Sequence, residues 1–232
     1  MSSDSASRVV VSGASSGIGL AIAQHLLSMG WRVLGLDIAA PSMVHSAYQH
    51  QTLDLTDRAA VEALLQTVNV QAFVHAAGVL RVGKLGQLDI EGGEQMWHLH
   101  VHAATVMGNA LLPCMLKNKF GRMVFIGSRV SQGFPGRGQY AATKSALAAL
   151  AKSWAAELAP MGVTVNVVSP AATETHMLSD PLRAGSQPRL PPIGRLIQPQ
   201  EIADLVAYLL SPSASAITGQ EITICGGSSL HQ

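Results

Sequence analysis

Tyr140 and Lys144 stand four residues apart in "YAATKSALAAL". On a helix that spacing puts a phenol and an ammonium on one face and within reach of each other. A phenol ordinarily titrates near pH ~10; a cation beside it favours the phenolate and draws that value toward neutrality, so the oxygen can give or take a proton at pH 7. Ser128 closes the apolar run "MVFIGS" and so falls at the carboxyl end of a strand, where open α/β sheets bind their ligands. Each residue has an ordinary alternative: Tyr–Lys pairs occur on helix surfaces, and strand-end serines cap helices. Together they are the parts needed to move a proton at a carbonyl or carbinol oxygen.

Upstream, "SGASSGIG" spaces Gly13, Gly17 and Gly19 as G-x3-G-x-G between a β-branched run and a helical stripe. Glycines there allow a tight turn, let the backbone approach a pyrophosphate, and aim helix N-terminal N–H groups at it. Glycine turns join strands to helices in many proteins, so position matters more than the triplet. Asp37 ends the next strand-like run, "WRVLGLD", roughly twenty residues later, where a carboxylate accepts from ribose hydroxyls and repels a 2′-phosphate. With no Arg or Lys in the turn or beside Asp37, NAD is favoured over NADP.

The stretch "WHLHVHAATV" sets His98, His100 and His102 on alternate positions. On a helix only His98 and His102 share a face, and no third ligand lies nearby, so no metal site is expected.

The elements that must position these groups follow from periodicity. Runs of β-branched and apolar residues at "RVVVSG", "WRVLGLD", "HQTLDL", "VQAFVHAAG", "GRMVFIGS", "VTVNVVSP" and "EITICGG" alternate with helical stripes. The helices include "DRAAVEALLQTV", capped by Thr56, residues 91 to 117, residues 139 to 159, and "PQEIADLVAYLLS" with Pro199 in its first turn. Alternation of this kind predicts an α/β fold: one Rossmann-type, doubly wound parallel sheet of about seven strands with helices on both faces. No domain boundary interrupts it, so residues 1–232 are expected to form a single dinucleotide-binding and catalytic domain. Residues 176 to 198, rich in Pro, Arg and Gly, read as a substrate flap.

Composition narrows the function. With 48% hydrophobic residues, 12% charged residues and a formal net charge of +1, the chain has material for a core and lacks the basic excess of a nucleic-acid binder. No uninterrupted apolar run looks long enough to span a bilayer, and the start, "MSSDSASR", has no apolar core like a signal peptide's. A cytoplasmic protein acting on a small molecule is the expectation. Cys114 and Cys225 form no CxxC pair and read as small packed residues.

The ordered set of Ser12-Gly13, Gly17-Ile18-Gly19, Asp54, "HAAG" at 75 to 78, Ser128, Tyr140-x3-Lys144 and "PAATET" at 170 to 175 resembles the short-chain dehydrogenases/reductases over nearly the whole chain. The resemblance implies hydride transfer between a nicotinamide and a secondary alcohol or ketone. Tyr140 would be the proton donor or acceptor and Ser128 would polarise the substrate oxygen; Lys144 would bind the nicotinamide ribose and lower the Tyr140 pKa. It further implies cofactor contacts from Gly13, Ser16, Gly17, Ile18, Gly19, Asp37, Asp54, Leu55, Ala76, Ala77, Gly78, Pro170, Thr173 and Thr175, and a homotetramer built on the helices at 91 to 117 and 139 to 159. The family's fourth catalytic residue, an asparagine on the long helix, is matched to His102, which is expected to take over its water contact or to relay the proton itself. "AAGVLRVG" and the C-terminal run resemble 2,3-dihydro-2,3-dihydroxybenzoate dehydrogenases, and Arg81, Arg129 and Arg137 are candidates for an anionic, cyclic substrate. Two other readings stay open: a 3-oxoacyl thioester or general carbonyl reductase, and a non-catalytic NAD(H)-binding sensor or scaffold.

Overall fold

A computed structural model describes residues 7–179 and 189–230. Its strands are β1 (Arg8–Ser12), β2 (Arg32–Asp37), β3 (Tyr48–Thr52), β4 (Ala72–His75), β5 (Gly121–Ile126), β6 (Val163–Pro170) and β7 (Glu221–Ile224). They form one sheet in the order β3-β2-β1-β4-β5-β6-β7, and every neighbouring pair is parallel. Parallel strands need crossovers, which the helices supply: α1 (Gly17–Ser28), α2 (Arg58–Leu65), α3 (Ile90–Trp97), α4 (Ala103–Lys117), α5 (Gly138–Leu158) and α6 (Pro199–Leu210).

β4, β5 and β6 are buried at every residue, because helices cover both faces of the sheet. On one face Ile22 and Leu26 of α1 pack with Ile202, Val206 and Leu210 of α6. On the other, Val61 of α2, Met107 and Leu111 of α4 and Leu147 of α5 close over Phe73 and Phe125. The strand order reverses between β1 and β4, and a doubly wound sheet binds its ligand in the crevice at such a point, beyond the carboxyl ends of the strands.

Several expectations shift. β3 starts at Tyr48, ahead of "HQTLDL", and α2 is capped by Asp57, whose Oδ1 accepts from Ala60 N at 3.0 Å, and not by Thr56. Thr56 instead donates from its N and Oγ1 to Asp54 Oδ1, both at 2.8 Å. The long helix is broken at His98–His102 by a π-helical turn between α3 and α4. Taken together, Ile90–Lys117 is, by length and composition, apolar enough to cross a membrane, contrary to the reading of the sequence. Half of its most apolar window is buried inside the fold, as befits a core helix. Of the segment 176 to 198, residues 180–188 lie outside the described residues. Its later part is fastened down: Ile193 N donates to Gly226 O at 3.1 Å, and buried Ile197 bridges Thr173.

Candidate active site

A cavity of about 980 Å³ opens at the carboxyl edge of the sheet. Ala76 and Gly78 after β4, Ser128 after β5, Pro170, Thr173 and Thr175 from the end of β6, Tyr140 and Lys144 from α5, and Ile18 from α1 all line it. The chemistry-bearing triplet picked out by spacing is therefore brought to one wall. Lys144 is fully enclosed; its Nζ donates to Ile126 O at 2.8 Å and stands 5.8 Å from the centre of the Tyr140 ring. Burial pulls the Lys144 amine down to about 7.

The glycine turn is built as a cradle. Gly13 and Gly17 hold positive φ values of 70° and 52°. A Cβ at Gly13 would come within 2.8 Å of Ala77 backbone atoms, and one at Gly19 within 2.1 Å of Gly13 O, so only glycine permits these approaches. Ser16, the N-cap of α1, makes no side-chain cap bond, and no acid occupies the first turn. The N-terminal N–H groups of α1 are thus left for an external anion. Asp37 is held in place by Ser15 N on Oδ2 at 2.9 Å and by Ala39 N on Oδ1 at 3.0 Å. The second lone pair of each oxygen remains for hydroxyl donors. These features fit a dinucleotide. Asp54 and Leu55 do not line the large cavity; Leu55 is buried in the core and Asp54 holds Thr56.

The histidines sort differently from the sequence expectation. His102, half-buried, meets His98 edge-to-face with ring centres 5.9 Å apart, and it does not line the cavity. His100 is the one turned inward: it is fully buried, edge-on to Tyr140 at 5.7 Å, and a Cβ at Gly78 would lie 3.0 Å from its Nε2 and 3.6 Å from Lys144 Nζ. Neither ring lines the cavity, and it is His100, not His102, that packs against Tyr140. The π turn is the reason, since one extra residue per turn changes the phase at which side chains face inward.

Hydrogen bonds fix the His100 tautomer. Val79 N donates to Nε2 at 3.0 Å, so that nitrogen is bare. Thr143 Oγ1 donates its single proton to Tyr140 O at 2.8 Å and accepts from Nδ1–H at 2.8 Å. Burial, followed by the charge of Lys144, holds His100 well below the usual imidazole range. His75, one strand away, is likewise neutral: Ser12 Oγ–H donates to Nδ1 at 2.9 Å, Nε2–H donates to Leu99 O at 3.1 Å, and burial pushes it down to about 3. Ser12 Oγ in turn accepts from Ala76 N and Ala77 N, which locks the loop after β4.

Of the three candidate arginines, Arg129 and Arg137 line the cavity. Arg81 does not; it donates to Leu80 O and Gln95 Oε1, both at 3.2 Å, and is corrected to a brace between the β4 loop and α3. Lys84 and Arg189 line the cavity and were missed, because each reaches it from a loop with no periodicity or motif to flag it.

A family model described as "Enoyl-(Acyl carrier protein) reductase" matches residues 13–229. The chain belongs to the short-chain dehydrogenase/reductase family. It is 36% identical over 233 residues to a 3-oxoacyl-[acyl-carrier-protein] reductase of Escherichia coli strain K12, covering 94% of this chain and 95% of that one. It is 34% identical over 244 residues to the 2,3-dihydro-2,3-dihydroxybenzoate dehydrogenase of the same strain, covering 97% and 98%. Among solved structures, the ligand-free aldohexose dehydrogenase of Thermoplasma acidophilum superposes with a TM-score of 0.90 at 28% identity over 98% of this chain and 95% of that one. An actinorhodin polyketide ketoreductase solved with NADPH gives 0.89 at 27% identity over all of both chains. The member is an oxidoreductase acting on an alcohol or ketone, and its fold binds a nicotinamide cofactor.

Proposed function

We propose that the protein is an NAD-dependent oxidoreductase that interconverts a secondary alcohol and a ketone, with Tyr140 as its acid–base. The observation that carries this reading is the convergence of Ser128, Tyr140 and Lys144 on one cavity wall beside the glycine cradle. When bound, the nicotinamide supplies hydride acceptance from, or donation to, the substrate carbon. The residues of the chain do the rest. Tyr140 takes the hydroxyl proton in oxidation and returns one to the carbonyl oxygen in reduction. The Ser128 hydroxyl donates to the same oxygen and orients it. Lys144, drawn toward neutrality by burial, favours the Tyr140 phenolate when charged and meets the nicotinamide ribose. Gly13, Gly17, Ile18 and Gly19 hold the pyrophosphate, Asp37 the adenosine ribose, and Pro170, Thr173 and Thr175 the carboxamide end.

His100 has a different part from the proton relay expected of the histidine here. Both its ring nitrogens are committed, so it acts as a clamp joining the β4 loop at Val79 to α5 at Thr143. Exposed Ala142 and Ala149 on α5 support the family's helix-paired homotetramer.

A second reading, a 3-oxoacyl thioester reductase, is favoured by the names of relatives such as the 36% identical one. If such a reaction draws on NADPH, as the ketoreductase was solved with it, Asp37 stands against it. A purified sample tested with NAD and a panel of cyclic alcohols and hydroxy acids should generate NADH absorbance. Tyr140→Phe should lower kcat by roughly 10²- to 10⁴-fold while NAD still raises Tm. A wild type that is stabilised by NAD yet oxidises nothing and reduces no ketone would instead be a sensor or scaffold.

A further inference from the structure

Ser128 is placed by its backbone more than by its own side chain. Among the described residues its Oγ has one protein contact, a long one of 3.4 Å from Val130 N. Its position therefore depends on the short 3-10 turn Arg129–Gln132, which it caps, and on whatever fastens that turn. Ser131 is the fastening point. Its N donates to Ser128 O at 2.9 Å, its carbonyl oxygen accepts from Ser145 Oγ, and its own Oγ donates to Glu221 Oε1 at 3.1 Å. Ser145 follows Lys144 on α5, so one serine ties the turn of Ser128 to the helix of Tyr140. Glu221 opens β7 and does not line the cavity. Its Oε1 takes a second hydroxyl, at 2.7 Å, from fully buried Ser169 near the end of β6. Ser169 lies against Gly127, the residue before Ser128, where an added Cβ would collide with Ser169 Oγ. One carboxylate oxygen thus secures the chain on both sides of Ser128, at Gly127 by way of Ser169 and at Ser131 directly.

We propose that Glu221 is a positioning residue for the reaction, holding the Ser128 hydroxyl in register with Tyr140 through Ser131 and Ser169. The inference rests on the hydride-transfer reading above and adds to it a carboxylate outside the cavity. A substrate oxygen must meet two hydroxyls at once, one on the turn after β5 and one on α5, and a misplacement of about 1 Å costs on the order of 100-fold in rate. The sheet fixes the chain up to Gly127, whose N donates to Val168 O at 2.8 Å. Beyond it the turn runs out to Gly133 at a positive φ of 104°, so Ser131 is where a bond from outside stops it from swinging. Hydrogen bonds to an ionised carboxylate are the strong kind, and this one is carried on a strand paired in register with β6.

Two readouts on the full chain test it, and one of them needs no turnover. Amide hydrogen exchange at residues 129–133 should speed up by roughly 10-fold in Glu221→Ala and return most of the way in Glu221→Gln, whose amide oxygen still accepts both hydroxyls. In turnover of the fastest-oxidised member of the alcohol panel, Glu221→Ala should lower kcat by roughly 10-fold and leave both KM for NAD and the NAD-induced rise in Tm unchanged. Glu221→Gln should restore kcat. The loss should vanish in a Ser128→Ala background, because a residue that acts through Ser128 has nothing left to position there. A general support of the fold would cost the same in both backgrounds. That result, or exchange at 129–133 that Glu221→Ala leaves unchanged, would overturn the inference. Should Glu221→Ala fail to fold, Ser131→Ala removes the link from its other end and is read in the same way. Faster exchange in a protein that turns over no alcohol or ketone would uphold the positioning of the turn and remove the hydride-transfer reading; turnover with additive losses in Glu221→Ala and Ser128→Ala would do the reverse.

Discussion

The two halves of the cavity are finished to different degrees. Around the glycine turn and the loop after β4, behind the cavity lining, the polar groups already have protein partners: Asp37 is held through both oxygens, His75 by Ser12 and Leu99, and His100 by Val79 and Thr143. On the cavity wall beyond Ser128, Arg129 keeps a buried donor without an acceptor, and Lys84 and Arg189 stand exposed. The contrast follows from what each half must recognise. A region whose polar groups are tied down in advance loses little entropy when it binds a ligand. The wall around Arg129 leaves a buried donor unsatisfied, and an unmet donor of that kind is how a site favours one ligand over isosteres lacking the complementary group.

The comparison can be broken around the glycine turn and the β4 loop in several ways. Asp37→Asn removes the charge that repels a 2′-phosphate, and the ratio of kcat/KM with NAD to that with NADP should fall by roughly 100-fold, a shift of about 2.7 kcal/mol. An unchanged ratio would mean that Asp37 merely holds Ser15 and Ala39. His100→Ala leaves Val79 N–H without its acceptor, and denaturant unfolding should show a loss of about 2 kcal/mol, partly restored in His100→Asn. The pH profile of kcat in a folded His100→Asn should match the wild type; a displaced profile would return the ring to a proton-relay role.

A separate test concerns acid stability. The folded-state pKa of His75 is about 3, below its unfolded value of 6.5, so between those limits the unfolded chain binds a proton that the folded one refuses. The stabilisation is fully present above pH 6.5 and declines as pH falls toward 3, by at most about 1.4 kcal/mol per pH unit from this group. His100, shifted the same way, steepens the decline. A stability-against-pH series on His75→Asn should be flatter than the wild type over that window, and an identical slope would place the acid sensitivity elsewhere.

Much of this was legible before any coordinates. Strand and helix alternation reads directly because β5 and β6 are buried on both faces and so are largely apolar. The glycine turn, Asp37 and the Tyr140–Lys144 pair read well because each depends on local spacing within a turn or one helix face. Exposed β3 was misplaced, since its "YQHQT" has neither a buried face nor a clean alternation.

What the amino-acid order determined by itself was the ladder of elements, the glycine turn and the Tyr140–Lys144 pair, all of which rest on periodicities of two and 3.6 residues and on glycine's access to positive φ. Tertiary structure alone decided which of His98, His100 and His102 faces Tyr140, because a π turn resets the helical phase midway along one continuous run. It also decided which cations share the cavity: Arg129, Arg137, Lys84 and Arg189 meet across loops far apart in the chain, while Arg81 turns away to Gln95. Contacts of that kind depend on how loops close over a finished sheet, and no local pattern encodes them.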